Sequence, residues 1–181
     1  MRLLLTAPLP RWYLLTAKLL SGTFLSVVQA YVFLIICLPF DWWTSLHVGF
    51  NNISGWLYIL PALILTGMML GAIGLFLSVH VKQLENFAGT MNFVIFPMFF
   101  ISPALFPLWY LEESGADLVF WVANCNPFTY GVQLVRYASE GQFYLTGALV
   151  VIACTLIFLI GAIYGYDPQR GSVRRGPQAA T

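Results

Sequence analysis

Side chains that could act as acids, bases or metal ligands are few in this chain and lie apart. Glu112 and Glu113 are adjacent, but they fall in a polar segment, where a solvated surface is the expected role. His47 and His80 are separated by an apolar segment long enough to cross a membrane, so we expect no shared metal between them. These residues therefore predict neither a catalytic centre nor a metal site.

The sequence predicts neither a reactive cysteine nor a nucleotide-binding site. Cys37 and Cys154 lie in apolar runs, where a free thiol packs as a small hydrophobic side chain. The glycine-rich phosphate loop that ends in Gly-Lys-Ser or Gly-Lys-Thr does not occur, so we expect no ATPase site of that type and no cofactor. No basic stripe suited to nucleic acid is present either.

Arg136 differs from these residues, because its position indicates a specific structural role. It lies in an apolar stretch, 128–137, where a guanidinium either extends its head to the interface or makes a structural bond. Two structural roles are open: an ion pair with Glu140 at i+4, or an anchor for the surrounding segment.

The composition indicates the fold class that holds these residues. Of the 181 residues, 60% are hydrophobic and 8% are charged, whereas soluble domains carry about a quarter charged residues. Lipid can solvate the apolar surface that this composition implies. In lipid, every backbone N–H and C=O group must form its hydrogen bond within the protein. The apolar runs are continuous and too long for barrel strands, so we expect an all-α integral membrane protein.

Four segments approach the roughly 20 apolar residues that a span requires. We expect spans at Ala17–Phe40, Trp56–Val81, Phe87–Phe106 and Phe143–Tyr166, with Pro97 and Pro103 kinking the third. The first continues too far to be a cleaved signal peptide.

A less regular segment, 109–142, precedes the last span. Its two apolar pieces, Leu118–Ala123 and Phe128–Tyr137, are each too short to span, and Asn126 and Pro127 lie between them. We expect a re-entrant or interfacial helical hairpin, with a surface loop as the alternative.

The distribution of basic residues predicts the orientation, because cytoplasmic flanks are rich in Lys and Arg. Four spans place seven of the eight basic residues on one side and leave Arg136 opposite. The seven are Arg2, Arg11, Lys18, Lys82, Arg170, Arg174 and Arg175. Both termini are therefore expected to be cytoplasmic, with residues 167–181 forming a disordered cytoplasmic tail.

Small residues are spaced for helix packing. Gly67, Gly71 and Gly74 lie on one face of the second span, and Gly161 and Gly165 occur in the fourth. Such spacing allows helix backbones to approach closely, either within the chain or in a dimer.

Three sequence blocks resemble a known family, the type-2 ATP-binding-cassette (ABC) exporter permeases. The stretch LLTAPLPR, residues 4–11, followed by Lys18, is similar to the family's cytoplasmic coupling segment. FFISPALFPL, residues 99–108, resembles the outer end of the fifth span, with Pro103 replacing the usual glycine. NPFTYG, residues 126–131, with Arg136, resembles the hairpin motif before the last span.

The resemblance implies a permease in the plasma (inner) membrane that pairs with a like or second permease and docks on cytoplasmic ATPase subunits. Residues 1–166 would form its transmembrane domain, with residues 1–16 as the coupling region and the hairpin as an outer gate. The implied coupling residues are Leu4, Leu5, Pro8 and Arg11, and the implied gate residues are Asn126, Pro127, Tyr130 and Arg136. Family members carry an interfacial helix and two further spans ahead of the coupling segment, so this sequence is expected to correspond to the C-terminal two-thirds of a permease, through a wrongly placed start, a truncated gene or a split subunit.

Transport of an amphiphilic or saccharide-lipid substrate is thus the expected function. The spans hold no mid-membrane charge, which disfavours proton- or sodium-coupled carriers. A non-transporting membrane scaffold, assembly factor or degenerate permease fragment is the alternative. A membrane-embedded enzyme is the weakest candidate, because no intramembrane polar cluster is evident.

Overall fold

The computed structural model describes residues 11–44, 53–81, 84–105 and 117–166. Within these ranges the regular structure is entirely α-helical, which confirms the predicted all-α class. The helices are α1 Arg11–Thr44, α2 Ile53–His80, α3 Leu84–Ile101, α4 Asp117–Cys125, α5 Pro127–Ser139 and α6 Leu145–Gly165.

Three of these helices are long and apolar enough to cross a membrane. The qualifying segments are Trp12–Cys37 in α1, Trp56–His80 in α2 and Leu145–Gly165 in α6. The apolar part of α3, Asn86–Ile101, is shorter. Among the described residues, three of the four predicted spans thus correspond to helices of spanning length, and the count of four stays a prediction.

Two helix boundaries differ from the predicted ones for simple reasons. Helix α1 begins at Arg11 rather than Ala17, because residues 12–15 continue its apolar pattern, and Lys18 thus lies inside the helix. Helix α3 ends at Ile101 rather than Phe106. Pro103 has no N–H to continue the helix and disfavours helical geometry in Ser102, so it ends the helix instead of kinking it.

The core lies between α2, α5 and α6. Its buried members come from all three helices and are Ile59, Ala62, Met69, Ile73, Leu134, Ala138, Ala148 and Val151. Helix α5 therefore packs one face, with Thr129, Gly131, Leu134 and Ala138 buried, against the long helices.

Glycines lie where helices approach one another. A Cβ added to Gly71 of α2 would lie 2.7 Å from Leu19 Cδ1 of α1. One added to Gly67 would lie 3.4 Å from Thr23 Cγ2, also of α1. Gly74 faces α3 in the same way, with Met91 Cε at 3.4 Å.

The outer surface is strongly apolar. Large side chains are exposed along every long helix, for example Phe24 at 73%, Leu57 at 74% and Tyr164 at 85%. Several hydroxyl groups in these helices bond to the backbone of their own helix, as Thr155 Oγ1 does with Val151 O at 2.7 Å. A surface of this kind is solvated by lipid, so the chain is a membrane protein.

Candidate functional site: a polar clamp between two helices

The short segment Asn124–Thr129 divides the hairpin into two helices. Asn126 is the N-cap of α5, and its Oδ1 accepts a hydrogen bond from the N–H of Phe128 at 3.0 Å. Pro127 occupies the first turn, where its missing N–H costs nothing. Thr129, fully buried, donates from Oγ1 to Ala123 O at 2.6 Å and so holds the end of α4 against the start of α5.

Helix α3 ends in a way that leaves carbonyl groups available. The N–H of Ser102 bonds to Phe99 O at 3.2 Å rather than to Met98 O, its helical partner. The Ser102 hydroxyl also donates to Phe99 O, at 2.7 Å. The Met98 carbonyl therefore needs another donor, and Pro103 carries a further carbonyl beyond the helix end.

Two side chains from the hairpin supply these donors. Asn126 Nδ2 donates to Met98 O at 2.6 Å. Arg136 Nη2 donates to Pro103 O at 3.0 Å. We call these two residues and the two carbonyl groups the clamp, since they join the C-terminal end of α3 to both ends of one helix.

The clamp decides between the roles that were open for Arg136. Among the described residues, Arg136 bonds to the Pro103 carbonyl, 33 residues away, and not to the Glu140 carboxylate. A cation beside the carbonyl end of α3 is also favoured by the helix dipole. Arg136 is therefore an anchor for the hairpin rather than half of an i,i+4 ion pair.

Helix α5 is in turn held by α2. A Cβ on Gly131 would lie only 2.9 Å from Thr66 Cγ2, so the two helices are close here. Thr66 Oγ1 donates to Gly131 O at 3.4 Å. Tyr130 is half-buried and packs against the core. The residues expected at the gate thus belong to a firmly packed helix.

The turn from α5 to α6 completes the hairpin. Gly141 has a φ of 75°, a conformation that favours glycine. The rings of Tyr137 and Tyr144 stack across the turn with centroids 5.0 Å apart. Burial raises the pKa of the Tyr144 phenol above its usual value, and the neighbouring Tyr130 and Tyr137 raise it further.

Other expected site residues lie elsewhere. Leu4, Leu5 and Pro8 are outside the described residues, and of Arg11 the structure describes only the backbone, at the start of α1. Gly67, Gly71 and Gly74 lie between α2 and its neighbours, away from the clamp. Within the described ranges there is no group of three or more His, Cys, Asp or Glu side chains suited to a metal.

Sequence reasoning missed the α3 side of the clamp. Ser102 and Pro103 fall in the block that resembles the outer end of a span, but nothing in the pattern assigns their carbonyl groups to hairpin donors. The signal that could have found them is the paired occurrence of a helix-ending proline and two hydrogen-bonding side chains in an apolar setting.

Comparisons with known proteins identify the family of this chain. The family model described as ABC-2 type transporter matches residues 1–139, which include the clamp. Nodulation protein J of Rhizobium leguminosarum bv. viciae is 26% identical over 95 residues, which are 52% of this chain and 35% of that protein. The matched region thus spans about a third of the curated relative's length. No solved structure matches the chain. Since the family match covers well over half of the sequence, the chain belongs to the ABC-2 type transporters, a family of membrane transport components.

Proposed function

We propose that this chain is the membrane-spanning permease subunit of an ABC exporter, driven by ATP hydrolysis in a separate cytoplasmic subunit. The observation that carries the proposal is membership of the ABC-2 type transporter family over residues 1–139. The substrate class is an amphiphile, such as a lipid-linked or saccharide-bearing molecule.

An uncharged pathway supports this substrate class. Helices α2 and α6 contain no Asp, Glu, Lys or Arg, so their faces offer no ionisable groups to an ion or proton. An amphiphile needs no such groups, because its apolar part is solvated by helices and lipid alike.

The proposed topology has four spans, with α3 as the third. Its 18 residues extend about 27 Å, close to the roughly 30 Å of a bilayer's hydrocarbon core. Four spans keep the seven basic residues on one side, as the positive-inside rule favours. Both termini are then cytoplasmic, and the α4–α5 hairpin lies at the outer side.

The hairpin is proposed as the outer gate, with Asn126, Pro127, Tyr130 and Arg136 as its fixed part. The clamp supports this role, since it holds the hairpin against the outer end of α3. The packing of α5 in the core suggests that α3 and α4 move against it, rather than the reverse.

Coupling to the ATPase is proposed through residues 1–16, with Leu4, Leu5, Pro8 and Arg11 at the contact. The continuous helix from Arg11 into α1 supports this, because a force applied at its start would be carried along the helix. Pairing with a second copy or a second permease, through helix faces that are exposed in the single chain, completes the proposed transporter.

The decisive experiment isolates the tagged chain from membranes of its source organism in mild detergent and identifies co-purifying proteins. An ABC ATPase should be recovered in stoichiometric amounts. The complex, reconstituted in vesicles, should move a fluorescent NBD-phosphatidylethanolamine probe between leaflets only when ATP is present. Recovery of the chain with no ATPase would favour the membrane scaffold instead.

A further inference from the structure

Helix α3 is packed far more loosely than its neighbours. From Asn86 to Ile101 no residue is buried, whereas α2, α5 and α6 each contribute buried side chains to the core. Phe93, near its middle, is 80% exposed. Within the described chain, its lateral support comes from contacts such as Met91 with Gly74 and from Met98 against the core.

A proline interrupts α3 just before the clamp. Pro97 has no N–H, so the Phe93 carbonyl lacks its i+4 helical donor, and the proline ring disfavours a straight helix at this turn. Sharp helix bends occur at such positions. Pro97 is adjacent to Met98, whose carbonyl Asn126 holds.

The element that holds the end of α3 is itself fixed. Helix α5 buries Thr129, Leu134 and Ala138, and its Gly131 is in close contact with Thr66 of α2. The ring of Phe99 also lies beside that of Phe128, with centroids 6.1 Å apart. One end of α3 is thus bonded to the packed core, while the rest is weakly packed.

We propose that α3 is a lever that pivots at Pro97 about the clamp, with Asn126 and Arg136 as the positioning residues that keep its C-terminal end in place. Its Leu84 end then travels farthest. The use of this movement in transport rests on the proposed function, because a tilting α3 would open and close a path along α2. The pivot itself depends only on the contacts described.

Paired spin labels in the full-length chain can test the lever. In a background with the three cysteines replaced by alanine, Ile157→Cys on α6 serves as the common reference for two pairs. Its partners are Ala88→Cys, near the free end of α3, and Phe100→Cys, near the clamp. Pulsed electron-spin distance measurements are made in lipid nanodiscs, without ATPase or substrate.

The lever predicts unequal movement at the two positions. Ala88 is nine residues from the pivot at Pro97 and Phe100 is three, or about 14 Å and 5 Å along the helix. Since the clamp also restrains Phe100, the displacement beyond the label's own spread should be at least about threefold larger for Ala88. Equal spreads would overturn the proposal.

Two substitutions separate the hinge from the clamp. Pro97→Ala should narrow the Ala88 distribution, while Pro61→Ala, a proline in α2 remote from the clamp, should leave it unchanged. Arg136→Ala should broaden the Phe100 distribution, while Glu140→Gln should not. An Ala88 distribution insensitive to Pro97→Ala, or a Phe100 distribution insensitive to Arg136→Ala, contradicts the lever.

A folding failure does not block the test. If Arg136→Ala does not fold, Arg136→Gln replaces it under the same criterion, since its shorter amide cannot reproduce the bond to Pro103. Because these distances need neither ATP nor cargo, a lever observed in a chain that moves no amphiphile would refute the proposed function alone.

Discussion

The Arg136 guanidinium donates a hydrogen bond to the Pro103 carbonyl at 3.0 Å, across 33 residues of sequence. Pro103 is buried, and its carbonyl follows the end of a helix, so no backbone N–H of α3 serves it. In an apolar setting a carbonyl without a donor is costly, and a cation is a strong donor. The contact therefore explains why one arginine lies within an apolar stretch.

Loss of this contact should destabilise the fold. Arg136→Ala is expected to lower the free energy of unfolding by about 1–2 kcal/mol, around the lower limit for bonds to charged groups, since the side chain is partly exposed. Thermal unfolding in detergent, followed by tryptophan fluorescence, measures the change.

Glu140→Gln is the matched control for Arg136→Ala. It removes the i+4 carboxylate without touching the clamp, so its effect should stay within about 0.5 kcal/mol, as for ordinary surface changes. A larger loss for Glu140→Gln than for Arg136→Ala would restore the ion pair as the structural role of Arg136.

Asn126 performs two tasks that substitution can separate. Asn126→Ala removes both the cap of α5 and the bond to Met98 O, with an expected cost of about 2 kcal/mol. Asn126→Ser keeps a hydroxyl oxygen for the Phe128 N–H but cannot reach Met98, so it should lose about half as much. Chemical unfolding of both variants, compared with the parent, gives the ratio, and equal losses would assign the whole effect to Met98.

Local patterns predicted some of this site, and tertiary packing decided the rest. The Asn-Pro pair indicated a break between two short apolar pieces, because Asn caps helices and Pro begins them. The partner of Arg136 was not predictable in the same way. The i+4 rule points to Glu140, whereas Pro103 becomes available only after α3 has ended and packed beside α5.

The helix boundaries also show what the sequence predicts and what depends on the folded structure. Hydropathy predicted the long apolar segments of α2 and α6 to within a few residues. It extended the third segment to Phe106, because apolar residues continue past Ile101, although the missing N–H of Pro103 ends the helix first. Hydropathy reports solvation, and helix ends also depend on hydrogen bonding.

Close contact between α2 and α5 leaves no room for a methyl group at Gly131. Gly131→Ala should destabilise the protein by about 1–3 kcal/mol, because the new Cβ would lie 2.9 Å from Thr66 Cγ2. Adding Thr66→Ser removes that methyl and keeps the hydroxyl, so the double variant should recover part of the loss.

Gly89→Ala, in α3, is the control for Gly131→Ala. No atom lies within 4 Å of its added Cβ, and alanine is the better helix former, so stability should stay unchanged or rise slightly. Unfolding midpoints of Gly131→Ala, of the double variant and of Gly89→Ala complete the comparison. No recovery in the double variant would mean that Thr66 is not the obstructing group.

The proposed topology predicts which positions an impermeant thiol reagent can reach. In a cysteine-free background, cysteines at Asp117 and Glu140 should react from outside intact cells, because the hairpin faces outward in a four-span arrangement. His80→Cys, exposed at the opposite end of α2, should react only after permeabilisation. Labelling of Asp117→Cys and Glu140→Cys only in permeabilised cells would reverse the orientation.

Coupling through the N-terminal segment predicts a charge-dependent contact with the ATPase. Arg11→Glu should reduce the amount of ATPase that co-purifies with the chain, because reversing a charge in a contact repels the complementary group on the partner. Arg174→Glu makes the same charge change at the other end of the chain and should leave recovery unchanged. Quantitative immunoblotting of the detergent-solubilised complex measures both. Undiminished recovery with Arg11→Glu would place the contact elsewhere, whereas equal losses from both variants would indicate a general effect of charge at the membrane surface.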